Sequence, residues 1–369
     1  MTAADDGPLM EFRRRKIVIV TGSRADFGLL QPVMAAVAEH DALELAAVVA
    51  GYHLITDTWR DVAKAGFKIA ARVPMQKRDA VGRGADVPAV GRGIGGFGRA
   101  FAKLAPDVVV VLGDRIEAFA AASAASIGGY RLAHIHGGDR AEGVADEAMR
   151  HAISKLAHIH YPATPTSARR LKRMGEAPAH IQTVGSPAVD APPTAAAIDA
   201  PTLLIVQHPI GASDEQEQRW MAQTLNATAD HARLVLAPNG DPGADGIRRA
   251  LSAANVSPVE HLPRPQWLNL LAGAKAIVGN SSAGLIEAAV LRTPCVNVGP
   301  RQAGRERPLH VIDCDYDEAA ISMAITHALE LDLRRLRHPY GKPGVGRRIA
   351  DHLATFDIAT VPLRKHNTY

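Results

Sequence analysis

A chain of 369 residues exceeds what one compact core organises and suits two domains. Apolar residues at 47% and charged residues at 22% exclude a disordered chain. Lys and Arg total 42 against 38 Asp and Glu, and this net +4 without a long basic run argues against a polyanion groove and a nucleic-acid partner. Two cysteines, Cys295 and Cys314, cannot make a disulfide framework and read as small buried hydrophobes. The N-terminal stretch up to Lys16 lacks the apolar segment of a secretory signal, and no apolar run of membrane-spanning length occurs, so no membrane partner and a cytoplasmic location are expected.

In chain order, short β-branched runs are followed by helical patterns. Strands are predicted at 16–20, 45–49, 107–112, 132–136, 159–163 and 181–184 in the first half. The second half offers 202–206, 234–237, 276–279, 295–298 and 310–314. Continuous apolar runs of four to six residues alternating with helices are the mark of parallel strands covered on both faces. The expected fold is α/β, with two Rossmann-like doubly wound parallel sheets and a cleft between them. The proline-rich stretch 190–201 reads as a hinge. Domain limits are placed at 1–190, a linker at 191–201, 202–345, and a C-terminal helix and tail at 346–369. The glycine-rich stretch 82–98 reads as a mobile loop leading into a helix at 99–104, and it could act as a substrate-contacting lid.

In open α/β sheets ligands bind beyond the C-terminal strand ends, and five segments place chemistry there. After the first strand come Ser23 and Arg24. The helix is read from about Phe27, and Arg24 either meets a phosphate or pairs with Asp26 on the surface. The turn after this strand is not GxGxxG, which argues against a dinucleotide fingerprint. Asp114 and Arg115, followed by Glu117, close a wholly apolar strand, where charge is costly unless paired or used. The stretch 134–160 crowds Asp139, Glu142, Asp146 and Glu147 into one loop, and such carboxylates push one another's pKa values apart. In the helix that follows, Val144, Ala148, Ala152 and Leu156 form the expected apolar stripe. Asp146, Arg150 and Ser154 lie on another face. A metal site built from His134, His136, His151, His158 and His160 finds little support, because no cysteine ligands or HExxH helix accompany them. Buried histidines bonded to backbone are expected instead. His208 stands at another strand end. Last, Asn280, Ser281, Ser282 and Gly284 open a helix that carries Glu287, with Arg301, Arg305 and Arg307 beyond the next strand. Hydroxyls, free backbone N–H groups and cations there suit a diphosphate.

The segments TGSRADFGLL, LGDRIEAFAAA, HIHGGDRAEGVADEAMRHAISKLAHIH, VGSPAVD, QHP, VGNSSAGLIEA and VGPRQAGRERP, in this order over roughly residues 16–315, resemble the UDP-N-acetylglucosamine 2-epimerases. They look most like the hydrolysing branch of sialic-acid and legionaminic-acid biosynthesis. The resemblance implies a GT-B-like fold and chemistry without metal or other cofactor. A base removes the C2 proton while the nucleotide diphosphate leaves C1, and water then adds to the glycal. Carried onto this chain, Ser281, Ser282 and Gly284 would hold the diphosphate and Glu287 the ribose. Arg24 and Arg305, with His208 nearby, would serve the leaving group. Asp114, Asp139 and Asp146 match the acid/base positions. Asp139 stands where the family pattern has Glu, one methylene shorter.

The implied partner is a nucleotide sugar: UDP-N-acetylglucosamine, a diacetylbacillosamine relative, or a GDP-linked sugar. The family also suggests a homodimer or homotetramer. A GT-B glycosyltransferase using the same nucleotide half and a non-catalytic sugar-nucleotide sensor are the competing readings. The acid-rich loop favours the epimerase.

Overall fold

The alternating apolar runs of the first half form a six-stranded parallel sheet. The chain is described by a computed structural model covering residues 13–78, 82–142, 146–190, 200–260 and 262–368. In order come β1 (Arg15–Thr21), α1 (Arg24–Glu39), β2 (Leu43–Ala50), the short α2 (Tyr52–Ile55) and α3 (Trp59–Lys64), β3 (Ile69–Val73), α4 (Arg83–Leu104), β4 (Val108–Leu112), α5 (Ile116–Ile127), β5 (Arg131–Ile135), α6 (Asp146–Leu156), β6 (Ile159–Tyr161) and α7 (Pro165–Arg173). Every pairing is parallel, and the spatial order is β3-β2-β1-β4-β5-β6. β1 is buried on both faces. Ile17 and Ile19 face the α1 side, while Val18 and Val20 face α4 and α5.

The second half forms a five-stranded parallel sheet from β7 (Leu203–Val206), α8 (Asp214–Ala227), β8 (Arg233–Val235), α9 (Ala244–Ala253), α10 (Arg264–Gly273), β9 (Ala276–Gly279), α11 (Ser282–Leu285), α12 (Glu287–Leu291), β10 (Cys295–Val298), β11 (Val311–Cys314) and α13 (Glu318–Glu330). Its order is β11-β10-β9-β7-β8. The two sheets therefore differ in winding. The first has the 3-2-1-4-5-6 order of dinucleotide folds, and the second has the 2-1-3-4-5 order of flavodoxin-like folds. In each, the strand order reverses at one place: between β1 and β4, and between β7 and β9. Those are the places where such sheets bind ligands.

The last helix, α14 (Val345–Thr355), packs on α1. Gly346 has no room for a Cβ, which would lie 2.4 Å from the Pro32 carbonyl oxygen. Asp190 accepts hydrogen bonds from the backbone N–H groups of Gly344, Val345 and Gly346 at 2.6–2.9 Å, which ties the start of α14 to the first half. The remainder of the expected hinge, 191–199, lies outside the described residues, as do residues 1–12 and Val144. No described helix is long and apolar enough to cross a membrane.

Four expectations are corrected. The glycine-rich segment is no loop: α4 runs from Arg83 to Leu104 without a break. Its apolar residues Ala89, Phe97 and Phe101 are fully buried at helical spacing. Two of its glycines serve close packing: a Cβ on Gly93 would lie 2.6 Å from Met75 Cε, and one on Gly96 would lie 2.6 Å from Val73 Cγ1. Sheet and helix thus approach more closely than any side chain permits. Second, 181–184 is not a strand, since Ile181 makes one isolated bridge to His160. Third, β3 was not anticipated. It is an edge strand with alternating exposure, short of the continuous apolar run used as the criterion. Fourth, α6 turns its polar face inward. Arg150, Ile153 and Ser154 are buried, whereas Ala148 is exposed.

Candidate active site in the cleft

The two strand-order reversals face one another, and the loops that follow β1, β4, β5, β7 and β9 line the space between them. After β1, Ser23 caps α1 in a reciprocal box with Asp26, so the helix begins at Arg24 rather than near Phe27. Asp26 accepts hydrogen bonds from the N–H groups of Gly22 (2.8 Å) and Ser23 (2.7 Å) and is occupied in shaping the turn. Arg24 pairs with Asp61 at 3.3 Å, not with Asp26.

After β4, the carboxylate of Asp114 pairs with the buried guanidinium of Arg150, which comes in from α6. Arg150 also donates to the carbonyl oxygen of His136 (3.4 Å). This explains the inverted face of α6: a buried cation is stable only when paired and hydrogen-bonded. Ser154, one turn on, donates to His134 Nδ1 at 3.1 Å, and the ring's Nε2–H donates to the Gly113 carbonyl at 2.8 Å. Burial pushes the His134 imidazole down to about 3, so it is neutral.

Arg115 lies 3.6 Å from the buried Glu117, whose Oε1 accepts from Gln76 Nε2 (2.6 Å). Burial alone would lower the Arg115 pKa. Glu117, Asp241 and Asp146 raise it above its ordinary value instead.

At the end of β5, His136 adopts φ +63°, a left-handed conformation that costs energy in a non-glycine residue. The turn brings Asp139 back against the His136 ring (Oδ2–Nδ1 3.2 Å). Ser167 Oγ donates to Asp139 at 2.7 Å, and Arg305 from the second half stands 3.7 Å away. Burial would raise the Asp139 pKa, but His136 and Arg305 hold it far below the usual carboxylate range, so it is a fixed anion. The shorter side chain is engaged by groups of its own loop and of α7. The sequence offers His136 only as one of several weak metal-ligand candidates and gives no site role to Ser167, because nothing in the linear order announces that Ser167 meets Asp139.

Asp146, at the start of α6, behaves oppositely. Desolvation, followed by the neighbouring charge of Asp114, pushes it up to about 6. Glu142 is half-exposed at the rim, paired with Arg140, and its backbone N–H donates to the Ala303 carbonyl of the second half at 2.9 Å.

In the second half, Asn280 is fully buried and acts as a pin. Its Oδ1 accepts the His208 backbone N–H (2.7 Å), its Nδ2 donates to the His208 carbonyl (2.8 Å), and its own carbonyl accepts from Gln302 (2.8 Å) and Arg301 (3.4 Å). A Cβ on Gly279 would sit 2.2 Å from the Val206 carbonyl oxygen, so β9 must end in glycine to lie this close to β7. His208 Nδ1 accepts the Asn239 backbone N–H (3.2 Å), leaving the ring proton on Nε2. Burial and then Arg301 lower its pKa to about 3, so it is a neutral donor.

Ser281 caps α11 through the Ala283 N–H (3.3 Å), and Ser282 follows, partly exposed. Gly284 has a packing reason, since a Cβ would meet Cys295 Sγ at 2.6 Å. Both oxygens of Glu287 are engaged, by Arg264 NH1 (2.6 Å) and Trp267 Nε1 (2.8 Å). Arg301 and Arg305 are largely but not wholly buried, and burial lowers both pKa values; for Arg305 the proximity of Arg150 adds to this.

The Nε atoms of Arg115, Arg150, Arg301 and Arg305 are buried without a hydrogen-bond partner. Four guanidiniums converging from both halves, each with unused donors, suit a polyanionic ligand. Asp241, which the sequence reading passed over, lies between Arg115 and Arg301 at 3.8 and 3.9 Å. Among the described residues, no group of three or more His, Cys, Asp or Glu could hold a metal ion.

Comparison with known proteins accords with this geometry. The family model described as UDP-N-acetylglucosamine 2-epimerase matches residues 35–354. A Legionella pneumophila UDP-N,N'-diacetylbacillosamine 2-epimerase (hydrolyzing) is 34% identical, over 96% of this chain and 100% of that protein. A Neisseria meningitidis UDP-N-acetylglucosamine 2-epimerase is 32% identical, over 86% and 88%. In fold, the chain superposes with a TM-score of 0.78 on the crystal structure of a Neisseria meningitidis UDP-GlcNAc 2-epimerase bound to UDP-GlcNAc, at 18% identity, covering 92% of this chain and 99% of that one. A Methanocaldococcus jannaschii UDP-GlcNAc 2-epimerase gives 0.75, also at 18% identity, covering 92% and 99%. With a family match over most of its length, curated relatives above 30% identity and a shared two-sheet architecture, the chain belongs to the UDP-N-acetylglucosamine 2-epimerase family.

Proposed function

We propose that the protein is a hydrolysing nucleotide-sugar 2-epimerase that converts a UDP-linked 2-acetamido sugar into the free 2-epimer and UDP. The observation that carries this reading is the convergence of four arginines, each with an unused buried Nε, on a cleft that holds carboxylates of opposite character, Asp146 raised to about 6 and Asp139 held ionised. Departure of a nucleoside diphosphate from C1 needs positive charge on the leaving oxygens, which Arg115, Arg150, Arg301 and Arg305 supply, with His208 Nε2–H as a neutral donor. Removal of the C2 proton needs a base whose pKa lies near the working pH, and Asp146 meets that condition. Asp114, paired with Arg150, stands beside it as the second carboxylate.

The first step breaks C2–H and C1–O and forms a C1–C2 double bond, with the proton on the base and the electron pair on the departing diphosphate. The second adds water across that bond, hydroxyl at C1 and proton at C2 from the opposite face. Asp139 keeps Arg305 in place throughout. The activities of the relatives support two sugars, N-acetylglucosamine and N,N'-diacetylbacillosamine.

The test is incubation with each UDP sugar in D₂O, followed by NMR. The expected outcome is UDP together with a free manno-configured sugar carrying deuterium at C2. Release of UDP only when an acceptor is added, or no release from either sugar, would overturn the reading.

A further inference from the structure

The loop after β8 brings one acid into the middle of the cationic cleft, and the chemistry above gives it no task. Asp241 Oδ1 lies 3.8 Å from Arg115 NH1 of the first half, and Oδ2 lies 3.9 Å from Arg301 NH2 of the second. Both separations are too long for hydrogen bonds, so the carboxylate neutralises the two guanidiniums without saturating either. Each keeps a buried Nε with no hydrogen-bond partner.

The placement of this acid is built into the fold. The Asn239 side chain donates to the Asp241 carboxylate, and the Asn239 backbone N–H is fixed on His208 Nδ1. At Gly240 the loop presses so closely on the first half that a Cβ would fall 1.7 Å from the Tyr52 hydroxyl. Arg115 is braced from behind by Glu117 at 3.6 Å, and its guanidinium lies 6.0 Å above the Tyr52 ring. Arg301 is braced by the Asn280 carbonyl.

Two cations facing each other across a cleft repel unless an anion lies between them. Asp241 is the carboxylate that lies within 4 Å of both.

We infer that Asp241 is a stand-in for the diphosphate: it holds Arg115 and Arg301 in place across the cleft and, once a nucleoside diphosphate arrives, repels it and so weakens its retention. This rests on the nucleotide-sugar reading and deepens it, by assigning to one residue the release of the diphosphate product. A site of four guanidiniums without such an acid would bind the free diphosphate tightly and turn over slowly. Asp241 is a positioning residue, acting through the two arginines and through charge.

The experiment is calorimetric titration of the whole protein with UDP, and separately with inorganic pyrophosphate, for the native chain, Asp241→Asn and Asp245→Asn. Asp245 is an exposed acid on the first turn of α9 and controls for a change of net charge. The expected result is that Asp241→Asn binds UDP about tenfold more tightly, with kcat and KM falling together as release becomes slower, while Asp245→Asn leaves both unchanged. The smaller Asp241→Ser should tighten UDP binding likewise, which covers the case of an Asn variant that does not fold. Unchanged or weaker UDP binding in a folded Asp241 variant, or equal tightening in Asp245→Asn, would overturn the inference and leave the epimerase reading intact. A native chain that binds neither UDP nor pyrophosphate would overturn both.

Discussion

Asp114 and Asp146 show how two carboxylates of one cleft are driven to different states. Asp114 pairs with a buried arginine, while Asp146 faces desolvation and the negative charge of Asp114 itself. The consequence for catalysis has a definite sign. A base must be ionised, so kcat/KM should fall as pH drops through about 6, and Asp146→Asn should remove turnover while keeping UDP binding. The consequence for stability runs the other way. A carboxyl whose folded pKa is raised above its unfolded value makes the native state less stable at neutral pH, and the loss vanishes below the unfolded pKa near 4. Asp146→Asn should therefore unfold at higher denaturant than the native chain at pH 7.5, by about 1 kcal/mol, with the difference gone by about pH 4. Equal unfolding midpoints at both pH values would contradict the raised pKa. Ser282 and Glu287 are legible as candidate site residues from their place after a strand. The engagement of Glu287 by Arg264 and Trp267 was not, because those partners lie 20 and more residues earlier, on α10.

At the scale of elements, α4 and α6 show where reading a pattern fails. Glycine density in α4 suggested a loop, since glycine in a helix interior costs roughly 1 kcal/mol against alanine. Here Gly93 and Gly96 are required by the contact with β3, the Met75 segment and α5, a reason invisible until those elements are placed. Gly93→Val should destabilise the fold by about 2–3 kcal/mol through overpacking against Met75 and Ala120, measured by denaturant unfolding. The same change at Gly91, where nothing lies within 4 Å, should be near neutral or mildly stabilising. In α6 the apolar stripe was taken as the buried face. The site's demand for Arg150 beside Asp114 decided otherwise, and Ser154 completes that face through His134.

At the scale of the whole molecule, the C-terminal tail stitches to the first half beside α6. Glu176 is 1% exposed, accepts a hydrogen bond from His160 Nε2–H (2.9 Å) and forms ion pairs with Lys155 (2.8 Å) and Lys365. Lys365 also donates to the carbonyl oxygens of Ser154 and Lys155, capping the end of α6 from a point some 200 residues away. Burial would raise the Glu176 pKa, but His160, Lys155 and Lys365 hold it down to about 2. A depressed carboxyl contributes stability that is present above its unfolded pKa near 4 and is lost as pH falls towards 2. Glu176→Gln should therefore destabilise the protein by about 2 kcal/mol at pH 7, and the gap to the native chain should close between pH 4 and 2. A gap independent of pH would show that the ion pairs are not its origin. Because α6 carries Asp146 and Arg150, this tail also bears on the geometry of the cleft.

The sequence by itself determined the parallel α/β architecture, since runs such as 108–112 can be buried only when helices cover both faces of a sheet. It also located most of the chemistry, because in such sheets the strand ends after 21, 112, 135, 206 and 279 are where polar residues are retained. Tertiary structure alone decided which groups meet. Asp139 with Ser167 and Arg305, Asp114 with Arg150, and Asp241 between Arg115 and Arg301 are contacts across 28 to 166 residues of chain, set by how the first half folds back on itself and how two differently wound sheets face each other. Periodicity is a local property, whereas ion pairing in a cleft depends on where the chain returns. The near-balanced +4 is thus an average that includes the arginines converging on the cleft and the acids held against them.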